Sequence, residues 1–374
     1  MNFEEYAAKP VLAAAGIPVP ESRLVTDADG AAEAARALGP AVVKAQVPIG
    51  GRGKAGGIRL VDNPVDAADA AKDILDLEIG GWPVERLLVE QQCRLQAEYY
   101  AAILNDAASK GPLLLFSTMG GVDIEEVAVR DASLIRRTAI PIETGLTEAA
   151  AAAAIAGFDL ACDSDALVAL LVNLYQAYRA NDAELLEINP LGVTDDGRII
   201  ALDCKFILDD SSLPRRADLA AQGVPERQSA LEERGKAVGL RFIELDGSVG
   251  ILANGAGLTM TTMDAVTHYG GRPANFLEIG GDAYTKAIPA LEIVLDHPGV
   301  KSLLVNFCGA FARTDVMTEG VVKALQAVKP DVPVFFSIHG TGEAEAIKMV
   351  REDLGLEPCA TMDEAVQLAV EAAR

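Results

Sequence analysis

The sequence predicts an α/β protein in two parts: a mixed α+β segment over residues 1–237 and a doubly wound, parallel-sheet domain over 245–374. Three observations carry this prediction. Half the residues are apolar, aromatics make up only 5%, and alanine is abundant, a balance that suits helices packed on sheets. From Gly247 one unit recurs four times: VGILA before NGAG, ANFLEI before GGDAYT, SLLVNF before CGAF, and VPVFFSI before HGTG, each followed by a helical stretch. Short apolar strands alternating with helices imply right-handed βαβ crossovers, hence parallel strands covered on both faces. Between the parts, residues 209–246 are polar and charge-dense and read as a linker region with a surface helix. At 374 residues the chain is too long for one ordinary domain.

The N-terminal elements follow in order. Asn2 reads as an N-cap with Glu5 as its capping-box partner, opening a helix that runs to Gly16 and contains Pro10, which should kink it. AEAARALG is helical, AVVKAQV is a strand, GIRLV is a second strand, and residues 64–77 form a helix. ERLLVEQ is a strand, and EYYAAILND with PLLLFST forms a β pair. Thr147 caps an alanine-rich helix that ends at Gly157.

The formal net charge of -23 repels nucleic acid and anionic membranes, so neither is an expected partner. An anionic ligand must instead be met by a local cluster of cations. The five cysteines (Cys93, Cys162, Cys204, Cys308, Cys359) are odd in number and contain no CxxC pair, which excludes a disulfide framework and a zinc site and fits a reducing cytosol. The start MNFEEYAAKP is acidic where a signal peptide is basic, and no apolar run approaches the roughly 18 residues of a membrane span. A cytoplasmic protein is expected.

One cation cluster is VPIGGRGKAGGIRL, residues 47–60. Gly51, Gly53 and Gly56 satisfy GxGxxG, but a dinucleotide fingerprint opens a helix, whereas GIRLV is a strand. A Walker loop fails as well: Pro48 stands where its first glycine belongs, and Ala55 replaces the Ser/Thr. What remains is a hairpin tip rich in exposed N–H groups, with Arg52 and Lys54 as counter-charges. Such a tip either folds over a polyphosphate or is a mobile hairpin with solubilising charges, and both readings stand.

The second informative stretch is LLEINPLGVTDDGRIIALDCKF, residues 185–206, with TDDG as its turn. If Asp195, Asp196 and Gly197 form the loop, Thr194 pairs with Arg198, Asn189 lies across from Asp203, and Glu187 faces Lys205. With a side-chain period of two, these four share one face, and Leu186, Ile188 and Leu202 share the buried one. A carboxylate beside an amide oxygen suits Mg²⁺ carried by nucleotide phosphates, since that ion takes only one or two protein oxygens and keeps several waters. The alternative is a cross-strand polar pair on a wet face, and a one-residue slip would turn Asp203 away.

The stretches VVKAQVPIGGRGKAGGI, LVE at 88–90, EYY at 98–100, LLEINPL, ALDCK, NGAGLTMTTMDAV and GGRPANFLEIGG occur in this order along nearly the whole chain, which thereby resembles the β-subunit family of NDP-forming succinate:CoA ligases. The resemblance implies an ATP-grasp fold of two α+β subdomains clamping ATP or GTP, then a flavodoxin-like CoA-ligase domain. It also implies an α subunit that binds CoA and bears a phosphohistidine, in an αβ or (αβ)₂ complex acting on a carboxylic acid. By position, the family's nucleotide contacts fall on Lys44, Gly51, Arg52, Gly53, Glu90 and Glu98, and its Mg²⁺ ligands on Asn189 and Asp203. Glu187 matches the carboxylate that holds the phosphohistidine loop, and Asn254 with Ala310, Phe311 and Ala312 match the acid contacts. Two further readings accompany this one: a self-contained ATP-grasp carboxylate–amine ligase, and a nucleotide-binding regulatory subunit without catalysis.

The chain has no evident phospho-acceptor of its own. Its histidines are His268 at a helix end, His297 in a DHPG turn and His339 in a loop, and only His339 is at the carboxyl end of a parallel strand. Two stretches depart from the family pattern: Cys308-Gly309-Ala310-Phe311 replaces FGGI, and Ser337-Ile338-His339-Gly340 replaces RLEG. The first should narrow or reshape the acid pocket, which leaves the acid open. Cys308 has no visible base and reads as a small packed residue.

Overall fold

The computed structural model describes residues 1–279 and 283–374. The GGD of the expected GGDAYT loop lies outside the described residues. The chain divides into two compact units, Met1–Glu226 and Arg227–Arg374.

In the first unit, a four-stranded antiparallel sheet runs in the order Ser22–Val25, Leu87–Gln91, Ala41–Ala45, Ile58–Val61. Helices Ala28–Leu38 and Pro64–Leu75 cover one face. Their starts are chemically specified: Asp27 accepts from the Gly30 N–H, and Asn63 accepts from the N–H groups of Val65 and Asp66, with Pro64 in the first turn. Ala31, Ala34, Ala35, Ala67, Ala70 and Ala71 are buried, so these helices sit close to the sheet.

The second sheet is built on the long strands Leu95–Asp106 and Ala183–Thr194, flanked by Gly111–Ser117 and Arg136–Ala139 on one side and by Ile199–Ala201 and Lys205–Leu208 on the other. Its core contains Tyr99, Ile103, Leu114, Phe116, Leu186 and Phe206, packed under helices Glu5–Ala14, Glu148–Ile155 and Ser164–Ala180. The first helix starts later than expected. Glu4 occupies the cap position without a side-chain capping bond to the helix, and Asn2 instead bridges Ile207 and Val224 because its main chain extends the sheet. Pro10 sits inside this helix without ending it.

The 185–206 hairpin keeps the register counted from its turn. Val193 pairs with Ile199 and Leu191 with Ala201, Thr194 N–H donates to Arg198 O at 2.9 Å, and Glu187 pairs with Lys205. Leu202 departs from expectation: it is half-buried and lines a cavity. The ladder is interrupted between Ala201 and Lys205, and the buried phase shifts by one residue on both strands, from Leu186 and Ile188 to Leu191 and Val193 and, opposite, from Cys204 to Ala201.

The second unit is a five-stranded sheet in the order Arg241–Glu244, Asn275–Glu278, Val249–Ala253, Ser302–Gly309, Val334–Gly340. The last four are parallel, as the repeats require, and the first is an antiparallel edge. That edge and helix Ala230–Ala237 lie in the stretch read from sequence as a linker. The division falls at 226/227, so this helix, counted with the first domain from sequence, belongs to the second unit, where Leu231 packs against the core. Helices Ala283–Leu295 and Thr314–Val328 cover one face of the sheet, and Ala256–His268 and Met362–Ala372 cover the other. Cys308 and Gly309 remain in their strand and pair with His339 and Gly340, so both departing loops begin later than expected. Among the described residues, no helix is long and apolar enough to cross a membrane.

Candidate functional site

Lys44 and Glu90 come from adjacent strands of the four-stranded sheet. Val43, Ala45 and Val89 point into the helix-covered core, which sends Lys44 and Glu90 to the opposite face. There the first helix meets them. Lys44 Nζ lies 2.7 Å from Glu90 Oε1 and 2.9 Å from Glu5 Oε1, while Lys9 Nζ lies 2.7 Å from Glu5 and also bonds Glu90. Lys9, Glu5, Lys44 and Glu90 thus close a buried ring of alternating charge. Both lysines also donate to Leu202 O, at 3.0 Å from Lys9 and 2.5 Å from Lys44, which explains why Leu202 sits where it does.

Arg52, from the tip of the glycine hairpin, hangs from this ring. Its Nη1 donates to Glu5 Oε2 at 2.8 Å and to Ala45 O at 3.1 Å, and its Nη2 lies 2.6 Å from each Asp203 carboxylate oxygen. Three cations therefore face three carboxylates. Burial alone would raise the Glu5 carboxyl, but Lys44, Lys9 and Arg52 together hold it well below the usual range, so it stays ionised. The Lys44 ammonium loses solvation, yet Glu5 and Glu90 push it up and keep it charged.

Of this charge set, Glu5, Lys44, Arg52, Glu90 and Asp203 line a cavity of about 1000 Å³, together with Gly51, Gly53, Glu98, Glu187 and Asn189. All nine residues expected in the nucleotide and metal sites, or to hold the phosphohistidine loop, therefore share one cavity. The Asn189 amide is fixed at both ends: Oδ1 accepts from the Gly121 N–H at 2.8 Å, and Nδ2 donates to Val122 O at 3.0 Å. Glu187 accepts from the Tyr100 hydroxyl at 3.0 Å, and burial raises its carboxyl against the opposing pull of Lys205 and Tyr100. Glu98 is exposed beside Gly121. At the hairpin tip, Lys54 reaches Asp123 at 3.1 Å and Glu126 at 2.8 Å.

Among the described residues, no group of three or more His, Cys, Asp or Glu side chains is gathered to hold a metal unaided. The oxygen donors at the site are Asp203, here bonded by Arg52, and Asn189 Oδ1, here bonded by the Gly121 N–H: one carboxylate and one amide oxygen. That set fits a Mg²⁺ that arrives with phosphates and keeps its waters.

The expected acid contacts lie in the second unit. Asn254 closes on the main chain of Cys308, donating to its O at 2.8 Å and accepting from its N–H at 2.9 Å. Ala310 O accepts from the Thr341 hydroxyl, and the Phe311 ring is fully exposed. Ala312 is also exposed, and its carbonyl packs against Gly309.

Sequence reasoning missed Glu5, Lys9 and Tyr100. The only signal for the first two is their four-residue spacing on a helix, which ordinarily marks a solvated pair. Tyr100 lies within the quoted EYY but carries no spacing that ties it to Glu187.

Two family models match the chain: an ATP-grasp domain over residues 2–193 and a CoA-ligase domain over residues 252–371. The chain is 41% identical over 383 residues to the succinate–CoA ligase [ADP-forming] subunit beta of Herpetosiphon aurantiacus, covering all of both chains. It is 42% identical over 352 residues to the [GDP-forming] subunit beta of Thermus thermophilus, covering 94% of this chain and 93% of that one. Among solved structures, the ATP citrate lyase of Methanothrix soehngenii in complex with citrate and coenzyme A shares the fold, with a TM-score of 0.69 at 22% identity over 99% of both chains.

Proposed function

The chain belongs to the family of succinate–CoA ligase β subunits, an ATP-grasp domain joined to a CoA-ligase domain, and from that membership we propose how its residues work. It is the β subunit of an NDP-forming acid:CoA ligase, coupling thioester formation to cleavage of ATP or GTP. The observation that carries the site assignment is the convergence of Lys44, Arg52, Asp203 and Asn189 on one cavity beneath a glycine tip.

The triphosphate lies in this cavity, where Lys44 and Arg52 offset its charge and the glycine tip excludes water. Asp203 and Asn189 would hold a Mg²⁺, whose chemistry when bound would be to supply positive charge against the phosphates. Lys44 keeps its proton throughout, because Glu5 and Glu90 stabilise the ammonium.

The three histidines, His268, His297 and His339, all belong to the second unit. His297 is spent inside its own domain, with Nδ1 accepting from the Gly299 N–H at 3.0 Å and Nε2 3.0 Å from Leu245 O. Kinship with β subunits supports an α subunit that supplies the phospho-accepting histidine and the CoA site, in an αβ or (αβ)₂ complex. Glu187, steadied by Tyr100, faces that histidine. The phosphoryl group passes from the histidine to the acid carboxylate, and the CoA thiol displaces phosphate from the acyl phosphate to form the thioester. The five free cysteines support a reducing, cytoplasmic setting.

The test is NDP release with the α subunit, a dicarboxylic acid and CoA. Multiple-turnover release should require all three, stop with EDTA and return with Mg²⁺. Equal release by this chain alone, or none with any dicarboxylic acid, would overturn the reading.

The acid is set partly by the 308–312 segment. Replacing the exposed ring in Phe311→Ile should leave stability within about 0.5 kcal/mol while changing kcat/KM for succinate by about tenfold or more. Steady-state kinetics across a dicarboxylic acid series checks this, and unchanged selectivity would remove Phe311 from acid recognition.

A further inference from the structure

Arg52 straddles the carboxylate that the metal reading needs. Its Nη2 lies 2.6 Å from both Asp203 oxygens, and the Cys204 N–H donates to Oδ1 at 2.7 Å. Three N–H contacts thus crowd a group with about four acceptor sites, and a fixed positive charge sits where a dication would have to approach. The other two buried cations, Lys9 and Lys44, bond Glu5, Glu90 and Leu202 O and make no hydrogen bond to Asp203, so Arg52 is the one that covers it.

The position of Arg52 on the chain lets it change partners. It stands between Gly51 and Gly53, Gly51 has φ 79°, and a Cβ at Gly50 or Gly51 would meet nothing within 4 Å. The tip is otherwise tethered at Lys54, a largely exposed ion pair of the kind that contributes little. The inner tether is stronger: Arg52 is only 7% exposed and bonds two carboxylates.

We propose that Arg52 is a positioning residue that couples phosphate binding to metal binding. Before nucleotide arrives, its guanidinium neutralises Asp203 and keeps divalent cations off it. The polyphosphate, richer in negative charge than one carboxylate, draws the guanidinium and the glycine tip onto itself, and Asp203 is released to take the metal. No covalent step is involved. By linkage, nucleotide then tightens metal binding by the same factor that metal tightens nucleotide binding. This deepens the nucleotide-site reading above and rests on it.

The experiment titrates Mn²⁺ into the full chain, with and without ADP, and follows free Mn²⁺ by electron paramagnetic resonance. Wild type should bind Mn²⁺ weakly alone and about tenfold or more tightly with ADP, within the usual range of coupled sites. Arg52→Gln should bind Mn²⁺ alone about tenfold more tightly than wild type, with most of the ADP enhancement gone. Arg52→Lys, which keeps the charge but loses the planar group, should fall between them and serves if the glutamine variant does not fold. Wild type that takes up no Mn²⁺ even with ADP overturns the nucleotide-site reading and this proposal together. Wild-type uptake with ADP, but equal Mn²⁺ affinity in wild type and both variants without it, overturns the role of Arg52 alone.

Discussion

Lys44→Met should lower stability by about 3–5 kcal/mol and NDP release by at least about 100-fold. The substitution keeps most of the side-chain volume but removes the ammonium that two buried carboxylates share, 2.9 Å from Glu5 and 2.7 Å from Glu90. Lys9 and Arg52 are left facing Glu5, Glu90 and Asp203, so one buried negative charge goes uncompensated. The cost is that of an orphaned ion, and it exceeds the net contribution of the intact pair. Adding Glu90→Gln restores the charge balance, so the double variant should regain part of the stability and none of the activity. Denaturant unfolding and NDP release, measured on wild type and both variants, separate the two effects. Unchanged stability in Lys44→Met would mean the ring is not formed in solution, and unchanged release would remove Lys44 from the reaction.

Gly120→Ala should be nearly as damaging, for a steric reason. A Cβ at this position would stand 2.2 Å from Tyr99 O, 2.5 Å from Tyr99 C and 2.7 Å from Tyr99 N. These are main-chain atoms of a central strand, so no side chain can swing aside and the 120–123 segment must lift. That segment supplies the Gly121 N–H and Val122 O that hold Asn189. A shift of about 1 Å in a positioning group can cost about 100-fold in rate, and a loss of about that size is expected, with destabilisation of about 2 kcal/mol or more. Gly257→Ala is the control, since its Cβ meets nothing within 4 Å and should change stability by no more than about 0.5 kcal/mol. Thermal unfolding and NDP release on both variants decide the matter. A Gly120→Ala protein with wild-type rate and stability would show that the segment does not position Asn189.

Much of the architecture is legible in local chemistry. The strand–loop–helix repeat after Gly247 yields the parallel sheet because period-two and period-3.6 apolar patterns are set by near neighbours. The 185–206 register is legible for the same reason: a turn at Asp195–Gly197 lets every pair be counted outward, from Thr194 and Arg198 to Glu187 and Lys205. The glycine tip and its cations are likewise visible as composition.

What the chain's residues determined unaided was therefore the order of elements, the turn-defined pairing and the presence of a cationic glycine loop. Tertiary packing alone decided that Glu5 and Lys9 are buried partners of Lys44 and Glu90, that Arg52 spans to Asp203, and that Arg241–Glu244 is a sheet edge and not part of a linker. Glu5 and Lys44 are 39 residues apart, and Arg52 and Asp203 are 151 apart. No local pattern encodes such pairs, because the burial that makes them necessary exists only once distant segments have packed and excluded water.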